Sequence, residues 1–379
     1  MTRPSYDVVI IGAGIVGAAC AMACAQEGLR VGIIEAETIG GGATAAGMGH
    51  LVVMDDSEAQ FALTRYSQLL WQKLATELPP DVEYEPCGTI WVAADDEEMD
   101  AVKHKKEFYE SRGVPAEVLD AKSLREAEPN LRDGLSGGLL VPGDAVIYAP
   151  CAARFLIEQA QSRSAQLHLP AVATEITTDG VRLNNGSVLA ARWIVNAAGS
   201  WSPVLTPGIE VKKRKGHLLI TDRYPGFVKH QLVELGYLKS AHSFTTESVA
   251  FNVQPRRTGQ LLVGSSRQFG VEGSEIDSRM LGRMLTRAED FLPCIGKLSA
   301  IRSWAGFRAA TPDKLPLIGA WPAQESGAEN LFLATGHEGL GITTSLGTAA
   351  LLVDQLLQRP PQIPVAPYLP SRVRENVHA

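Results

Sequence analysis

Three glycines at G-x-G-x-x-G spacing lie in Gly12-Ala13-Gly14-Ile15-Val16-Gly17, and an acid, Glu35, follows 18 residues after the last of them. These are the parts of a dinucleotide site. Gly12 makes the tight turn, Gly14 lets the backbone approach a pyrophosphate, Gly17 lets a helix pack on a strand, and Glu35 accepts hydrogen bonds from ribose hydroxyls. A carboxylate there disfavours a 2'-phosphate, and so NADP. Far downstream, "SWAGFRAATPDKLPLIG" (303–319) sets Arg308 among small and apolar residues. A guanidinium is always charged and is not buried unpaired. Arg308 therefore awaits an anion or pairs with a nearby acid such as Asp313.

The elements that must position these residues are readable around them. "DVVII" (7–11) is a β-branched run of the kind buried on both faces of a sheet. It runs into the glycines, a small-residue helix follows to about Glu27, Gly28 ends it, and "RVGIIEAE" predicts a second strand finishing at Glu35. This βαβ order is the context the glycine fingerprint requires. The loop "TIGGGATAAGMGH" (38–50) suits a chain laid along an extended ligand, which points away from an ordinary NAD dehydrogenase; a flexible glycine loop is the alternative.

Beyond residue 60, "SEAQFALTRYSQLLWQKLATEL" predicts a helix with a polar face, "GTIWVAA" a strand, and "VPGDAVIYAPCAARFLIEQAQ" a helix with Pro150 in its first turn. "VRLNNGSVLAA" is a hairpin turning at Asn185-Gly186, and "WIVNAAGSWS" a buried strand that ends in glycine. Alternating segments from about Lys212 to Gly270 predict an antiparallel sheet, and "MLGRMLTRAEDFLP" an amphipathic helix. "LFLAT", "GHEGLGITTSLG" and the run to Leu357 form a last strand, turn and helix, whose N-terminus favours an electron-rich atom. There is no internal repeat. The chain visits the nucleotide unit three times, at 1–80, 145–210 and 300–365. A cap unit at 81–144 and 211–299 is interleaved, and 366–379 is a tail.

The totals are consistent with this. The 379 residues are 45% apolar and 20% charged, as in ordinary soluble domains, and the net charge of -7 provides no footprint for nucleic acid or an anionic membrane. Cys20, Cys24, Cys87, Cys151 and Cys294 are odd in number and contain no C-x-x-C pair; they read as buried thiols in a reducing compartment, with no metal site. The uncharged run from Val8 to Ala25 is interrupted by ordered glycines and preceded only by Arg3, which argues against a membrane span or a signal peptide. The expected location is the cytoplasm, with membrane association only through partners.

The pieces together resemble a family, the FAD-dependent D-amino-acid oxidase superfamily in its glycine oxidase and sarcosine oxidase branch. The resemblance rests on "VVIIGAGIVGAACA" with Glu35, "GGGATAAGMG", "VNAAGSWS", "GFRAATPDKLPLIG" and "ATGHEGLGITTSLG", in order and across almost the whole chain. Within the branch the chain is most similar to catalytic subunits of bacterial flavin dehydrogenases of secondary amino acids, D-hydroxyproline dehydrogenase above all. Hydrogen cyanide synthase and opine oxidase subunits are further relatives.

The resemblance implies an α/β fold combined with α+β: a discontinuous Rossmann-like FAD-binding domain interleaved with an antiparallel-sheet substrate domain. It implies FAD with its phosphates on Gly12, Gly14, Ile15, Val16 and Gly17 and its ribose on Glu35 and Ala36. Thr44, Ala45, Gly47 and Met48 would lie along the pyrophosphate and isoalloxazine, and the Val172 backbone would hold the adenine. Ala198 and Gly199 would line the cofactor edge, and Gly339, Leu340, Gly341, Ile342 and Thr343 the flavin pyrimidine. Two departures matter. Gly306 stands about where sarcosine oxidases carry the cysteine that attaches flavin, so the expected FAD is non-covalent. Leu262 stands about where they carry a lysine that assists oxygen, which favours a dehydrogenase.

The chemistry so implied is hydride removal from the α-carbon of a neutral amine to flavin N5, giving an imine, with the protein supplying orientation and electrostatics. Arg308 occupies the family's carboxylate-binding position, where bidentate geometry suits it. His50 and Glu338 adjoin the glycine loops on the substrate side; His50 would orient a ring hydroxyl or the amine, and Glu338 the amine nitrogen. Phe251 and Asn252 match a strand that covers substrate, and His337 belongs to the turn. Three readings stay open: a dehydrogenase passing electrons to a partner subunit or quinone, an oxygen-using amine oxidase, or an FAD-holding subunit that binds no amino acid.

Overall fold

The structure is a computed structural model and describes residues 5–236, 247–322 and 330–375. Arg3 and the end of the expected tail lie outside these residues. The first β-branched run forms the strand Tyr6–Ile11, buried along nearly its whole length. It pairs in parallel with Val31–Ile34 on one side and Val188–Asn196 on the other. Side by side, the main strands of this sheet are Leu317–Ala320, Leu331–Thr335, Val188–Asn196, Tyr6–Ile11, Val31–Ile34 and Gln166–His168, with the Asn185-Gly186 hairpin branching from the third. Strands from three distant parts of the chain thus build one sheet, as a discontinuous nucleotide unit requires.

Helices Ile15–Gln26, Ala149–Gln161 and Gly341–Leu356 enclose an apolar core on one face of this sheet. Small residues make that possible. The first helix buries Gly17, Ala18, Ala19, Cys20, Ala21 and Cys24, so it approaches both neighbouring helices closely. Of the cysteines expected to be buried, Cys20 and Cys24 are; Cys87 and Cys151 are half-buried, and Cys294, in the surface turn Pro293–Lys297, is exposed.

Among the described residues, a second sheet has nine strands, side by side His337–Glu338, Ala300–Ala310, Lys212–Thr221, Leu261–Phe269, Glu247–Pro255, Gln231–Glu234, Thr89–Ala93, Gly137–Val141 and Glu117–Asp120. It is antiparallel, as expected, except for one parallel pair, Gln231–Glu234 with Thr89–Ala93. The long Ala300–Ala310 strand runs in this sheet along Lys212–Thr221. The unit boundary expected at 300 falls just before this strand and assigns it to the nucleotide unit, although it pairs within the second sheet; we propose that the boundary lies after Ala310. One face of the sheet (Ile90, Val92, Leu232, Phe251, Val253, Val263) packs on the amphipathic helix Ser278–Phe291. The other face roofs a cavity above the glycine loops.

Candidate active site

The G-x-G-x-x-G turn has the tight packing its glycines predict. A Cβ on Gly12, whose φ is +103°, would stand 2.7 Å from the carbonyl oxygen of Ala197, and one on Gly17 would overlap the carbonyl of Gly12. Ala198 borders Gly12 for the same reason. The strand expected to finish at Glu35 ends at Ile34, and Glu35 follows it beside this turn, accepting from the N–H of Ala13 at 2.8 Å and of Glu37 at 2.9 Å, with Ala36 exposed next to it. Thr44, in the short helix Gly42–Ala45 that the glycine-loop reading did not include, accepts from the Ile15 N–H at 3.0 Å; Ala45 faces solvent.

Two helix N-termini meet here, and neither is capped by its own N-cap residue, Gly14 before Ile15–Gln26 and Leu340 before Gly341–Leu356; Thr44 takes only the Ile15 amide. They are neighbours, since a Cβ on Gly341 would lie 3.9 Å from the Val16 side chain. Uncapped amides and aligned dipoles suit the diphosphate of a dinucleotide and an electron-rich ring. Ile342 and Thr343 are buried in the first turn of the second helix, and the Thr343 hydroxyl donates to the carbonyl of His50 at 2.8 Å. Ile342 also crowds Gly47, where a Cβ would stand 2.7 Å from its Cδ1.

The Gly199 turn is tied down by Asn196, which sequence reasoning missed: its amide donates to Ser202 and Thr206, and its oxygen accepts from the Ala198 N–H. Val172 is brought near Glu35, because the next residue back, Ala171, donates to the Glu35 carbonyl. Its own N–H and C=O are engaged by Asn184, however. Only the second carbonyl lone pair is left for an adenine.

Above this cradle, the cavity is lined by His50, Asn252, Arg214, Arg267, Arg308, Lys314, Glu338, Gly339 and Leu340, and by Met54, Asp56, Gln60, Thr89, Trp91 and Val233. Most of the expected substrate residues thus share one space. Phe251 does not. Its ring stacks on Phe291 at 4.4 Å on the far face of the sheet. Successive residues of a strand face opposite sides, so Asn252 facing the cavity sends Phe251 away from it.

Arg308 projects from Ala300–Ala310 over Gly216 of the adjacent strand and donates from Nη1 to the Ser266 carbonyl at 3.0 Å. The alternative partner, Asp313, is taken instead by Arg372 at 2.7 Å. Glu338, at φ 52°, is paired with Arg214 at 2.6 Å, which the sequence reading did not foresee; its Oε2 has no hydrogen-bond partner. His337 is buried, hydrogen bonds Thr348 at 3.0 Å, and is held neutral by desolvation, its pKa lowered to about 3.

The tautomer of His50 follows from its neighbours. Gln231 donates from Nε2 to the Ala145 carbonyl at 3.0 Å and to Thr89 at 3.2 Å, so its oxygen faces His50. His50 must then donate from Nδ1 to Gln231. Its Nε2 accepts from the Asn252 amide at 3.2 Å, and burial keeps the ring neutral by lowering its pKa. Asn252 is left with Oδ1 unpaired on the cavity wall.

Met48 lies beneath the roof with Leu218 and Leu262 in an apolar patch, and a Cβ on Gly264 would stand 2.8 Å from its sulfur. Gly306 sits against Ala46, with no room for a side chain. Residues 7–355 match the FAD dependent oxidoreductase family.

The chain belongs to that family. Its cofactor is FAD, and its class is that of FAD oxidoreductases acting on amino acids. The chain is 30% identical over 381 residues to glycine oxidase of Geobacillus kaustophilus (strain HTA426), covering 97% of each chain. It is 27% identical to hydrogen cyanide synthase subunit HcnC of Pseudomonas aeruginosa, covering 97% of this chain and 96% of that one. The crystal structure of the Geobacillus kaustophilus glycine oxidase superposes with a TM-score of 0.85 at 28% identity, covering 98% of this chain and 99% of that chain. The L-proline dehydrogenase of P. horikoshii has the same fold, with a TM-score of 0.88 at 22% identity and 99% of each chain covered. As a family member the chain has no helix, among its described residues, long and apolar enough to cross a membrane.

Proposed function

We propose that this family member oxidises a secondary or cyclic amino acid of the D-proline and D-hydroxyproline kind to the imine, and passes the electrons to a partner subunit or quinone rather than to oxygen. The observation that carries the reading is Arg308. Its guanidinium enters the cavity that Gly339 and Leu340 close, where a carboxylate can be held in bidentate fashion over the flavin end of the cradle.

Bound FAD supplies the two-electron acceptor for hydride from the α-carbon. The chain's own groups do the rest. Arg308 fixes the carboxylate, and the neutral His50 holds the Asn252 amide so that its Oδ1 accepts from the substrate N–H. Asn252 pairs with Gly264 in the strand next to its own, and Ser266, which receives Arg308, lies two residues further along that strand. The anchor of the Arg308 guanidinium and the Asn252 amide are thus offset by one strand spacing, about 4.8 Å, across the sheet and by two residues, about 6.8 Å, along it. The nine-stranded sheet covers the site and limits water. Leu262, packed on Met48 and Leu218, leaves an apolar surface where an oxygen-assisting lysine would stand, and this supports a non-oxygen acceptor.

The test is anaerobic bleaching of the yellow enzyme by D- and L-proline, the 4-hydroxyprolines, glycine and sarcosine, followed by turnover with a dye or with oxygen. Bleaching by a cyclic amino acid, with dye turnover well above peroxide formation, is expected. The 30% identity to a glycine oxidase favours a second reading, an oxygen-using amine oxidase. Glycine or sarcosine bleaching with peroxide at the dye rate would establish it. If no amino acid bleaches the flavin, the protein is an electron-transfer subunit.

A further inference from the structure

Arg308 and Asn252 account for one side of the cavity. On the roof, the strand bearing Trp91 lies two places beyond that of Asn252, away from Arg308. Trp91 faces the cavity by alternation with Thr89, and Asp56 and Gln60 enter from the start of the Glu58–Leu74 helix and the turn before it. All three lack a partner they require. The Trp91 indole N–H, Gln60 Oε1 and Asp56 Oδ1 are buried without a hydrogen bond, in residues that are 2% exposed for Trp91 and 7% for Gln60. Buried polar groups are almost always satisfied, and orphans mark a missing ligand atom or water.

The chemistry of the orphans selects the ligand group. Indole N–H only donates, while the Gln60 and Asp56 oxygens accept. An ammonium could satisfy the oxygens but not the indole, and a methylene satisfies neither. A hydroxyl accepts from the indole and, with its single proton, donates to one of the two oxygens, the other being left to water.

We infer that Trp91, Gln60 and Asp56 form a subsite for a hydroxyl carried by the substrate at a distance from its carboxylate. The inference rests on the proposed reading of the site, in which Arg308 holds that carboxylate. It makes these residues specificity determinants that discriminate hydroxylated from plain cyclic amino acids. A site built to hydrogen bond a hydroxyl discriminates strongly against the analogue without it, because its own groups are left unpaired.

The experiment compares the efficiency of anaerobic flavin reduction by each 4-hydroxyproline stereoisomer with that by the proline of the same α-configuration. The native enzyme, Gln60→Leu and Trp91→Phe are measured with FAD bound. At least one hydroxyproline should exceed its proline by about tenfold or more, and each substitution should bring that ratio close to one. Reduction by prolines with a ratio near one in the native enzyme, or a ratio unmoved in both variants, would overturn the subsite and leave the proposed reaction standing; a water then fills the space. No reduction by any proline or hydroxyproline would overturn the proposed reaction, and the subsite with it.

Discussion

The Arg308 guanidinium crosses the adjacent strand over Gly216, two residues along from its register partner Arg214: a Cβ on Gly216 would stand 2.6 Å from Nη1 and 3.0 Å from Cζ. The bare backbone lets the guanidinium cross one strand to the Ser266 carbonyl on the next. Gly216→Ala should displace it without touching the nucleotide cradle. The dissociation constant of the reducing amino acid should rise by about tenfold to a hundredfold, the range that ångström-scale misplacement produces, while FAD content stays native. Stopped-flow reduction across substrate concentrations reads both.

The His50 tautomer gives a pH prediction. Protonated His50 would carry a proton on Nε2, which the Asn252 Nδ2–H could no longer face; the amide would turn and withdraw its oxygen from the substrate nitrogen. Desolvation lowers the His50 pKa from 6.5, so the neutral ring is present above that lowered value and lost below it. Substrate affinity should hold down to pH 6.5 and fall only under it. Gln231→Leu, which removes the acceptor that fixes Nδ1–H, should weaken binding about tenfold at neutral pH. A binding profile that falls between pH 8 and 6.5 in step with a single proton would contradict this role.

Glu338 is first of all the counter-ion of Arg214, in a pair whose side chains are 10% and 13% exposed. Removing one partner of a buried pair leaves the other charge uncompensated. Glu338→Gln should cost about 3 kcal/mol in chemical denaturation, and adding Arg214→Met should recover most of it. Independent, additive losses would show that the pair does not act as a unit.

Behind Thr89, Asp144 is fully buried, accepting from Gln68 at 2.8 Å and from the Val53 N–H at 3.2 Å. Burial raises its pKa from 3.8 to about 7. A carboxyl whose folded pKa is raised favours the folded state most below the unfolded value, and that contribution is lost as pH rises from about 4 through 7. Asp144→Asn should remove this component, which is worth a few kcal/mol. Its melting temperature should lack the decline between pH 5 and 7 expected of the native protein and exceed the native value at pH 8.

The nucleotide half was the legible part of the sequence, because its signals are local. The β-branched run, the Gly12 turn, the acid at Glu35 and the turn before Gly341 are each recognisable from a few consecutive residues, although what they touch, Ala197 for Gly12 and Ala13 for Glu35, lies far along the chain. Arg308 was legible as a charge needing a partner, but its path over Gly216 was not, since that contact depends on register between strands about 90 residues apart. The Arg214–Glu338 pair and the Gln231–His50–Asn252 chain were hidden for the same reason. Phe251 was a different kind of miss. Period-two alternation in "SVAFNVQP" already forbade Phe251 and Asn252 from facing one cavity, and the apolar face of the amphipathic helix Ser278–Phe291 claims the aromatic side.

The most direct test is anaerobic reduction of FAD-loaded Arg308→Ala beside the native enzyme, with the amino acid that bleaches the native flavin fastest. The variant should keep its full flavin absorbance and lose reduction by at least a hundredfold, the scale of losing a charge-assisted substrate clamp. Native-like bleaching of Arg308→Ala by that amino acid would contradict the carboxylate role on which the proposed reaction rests.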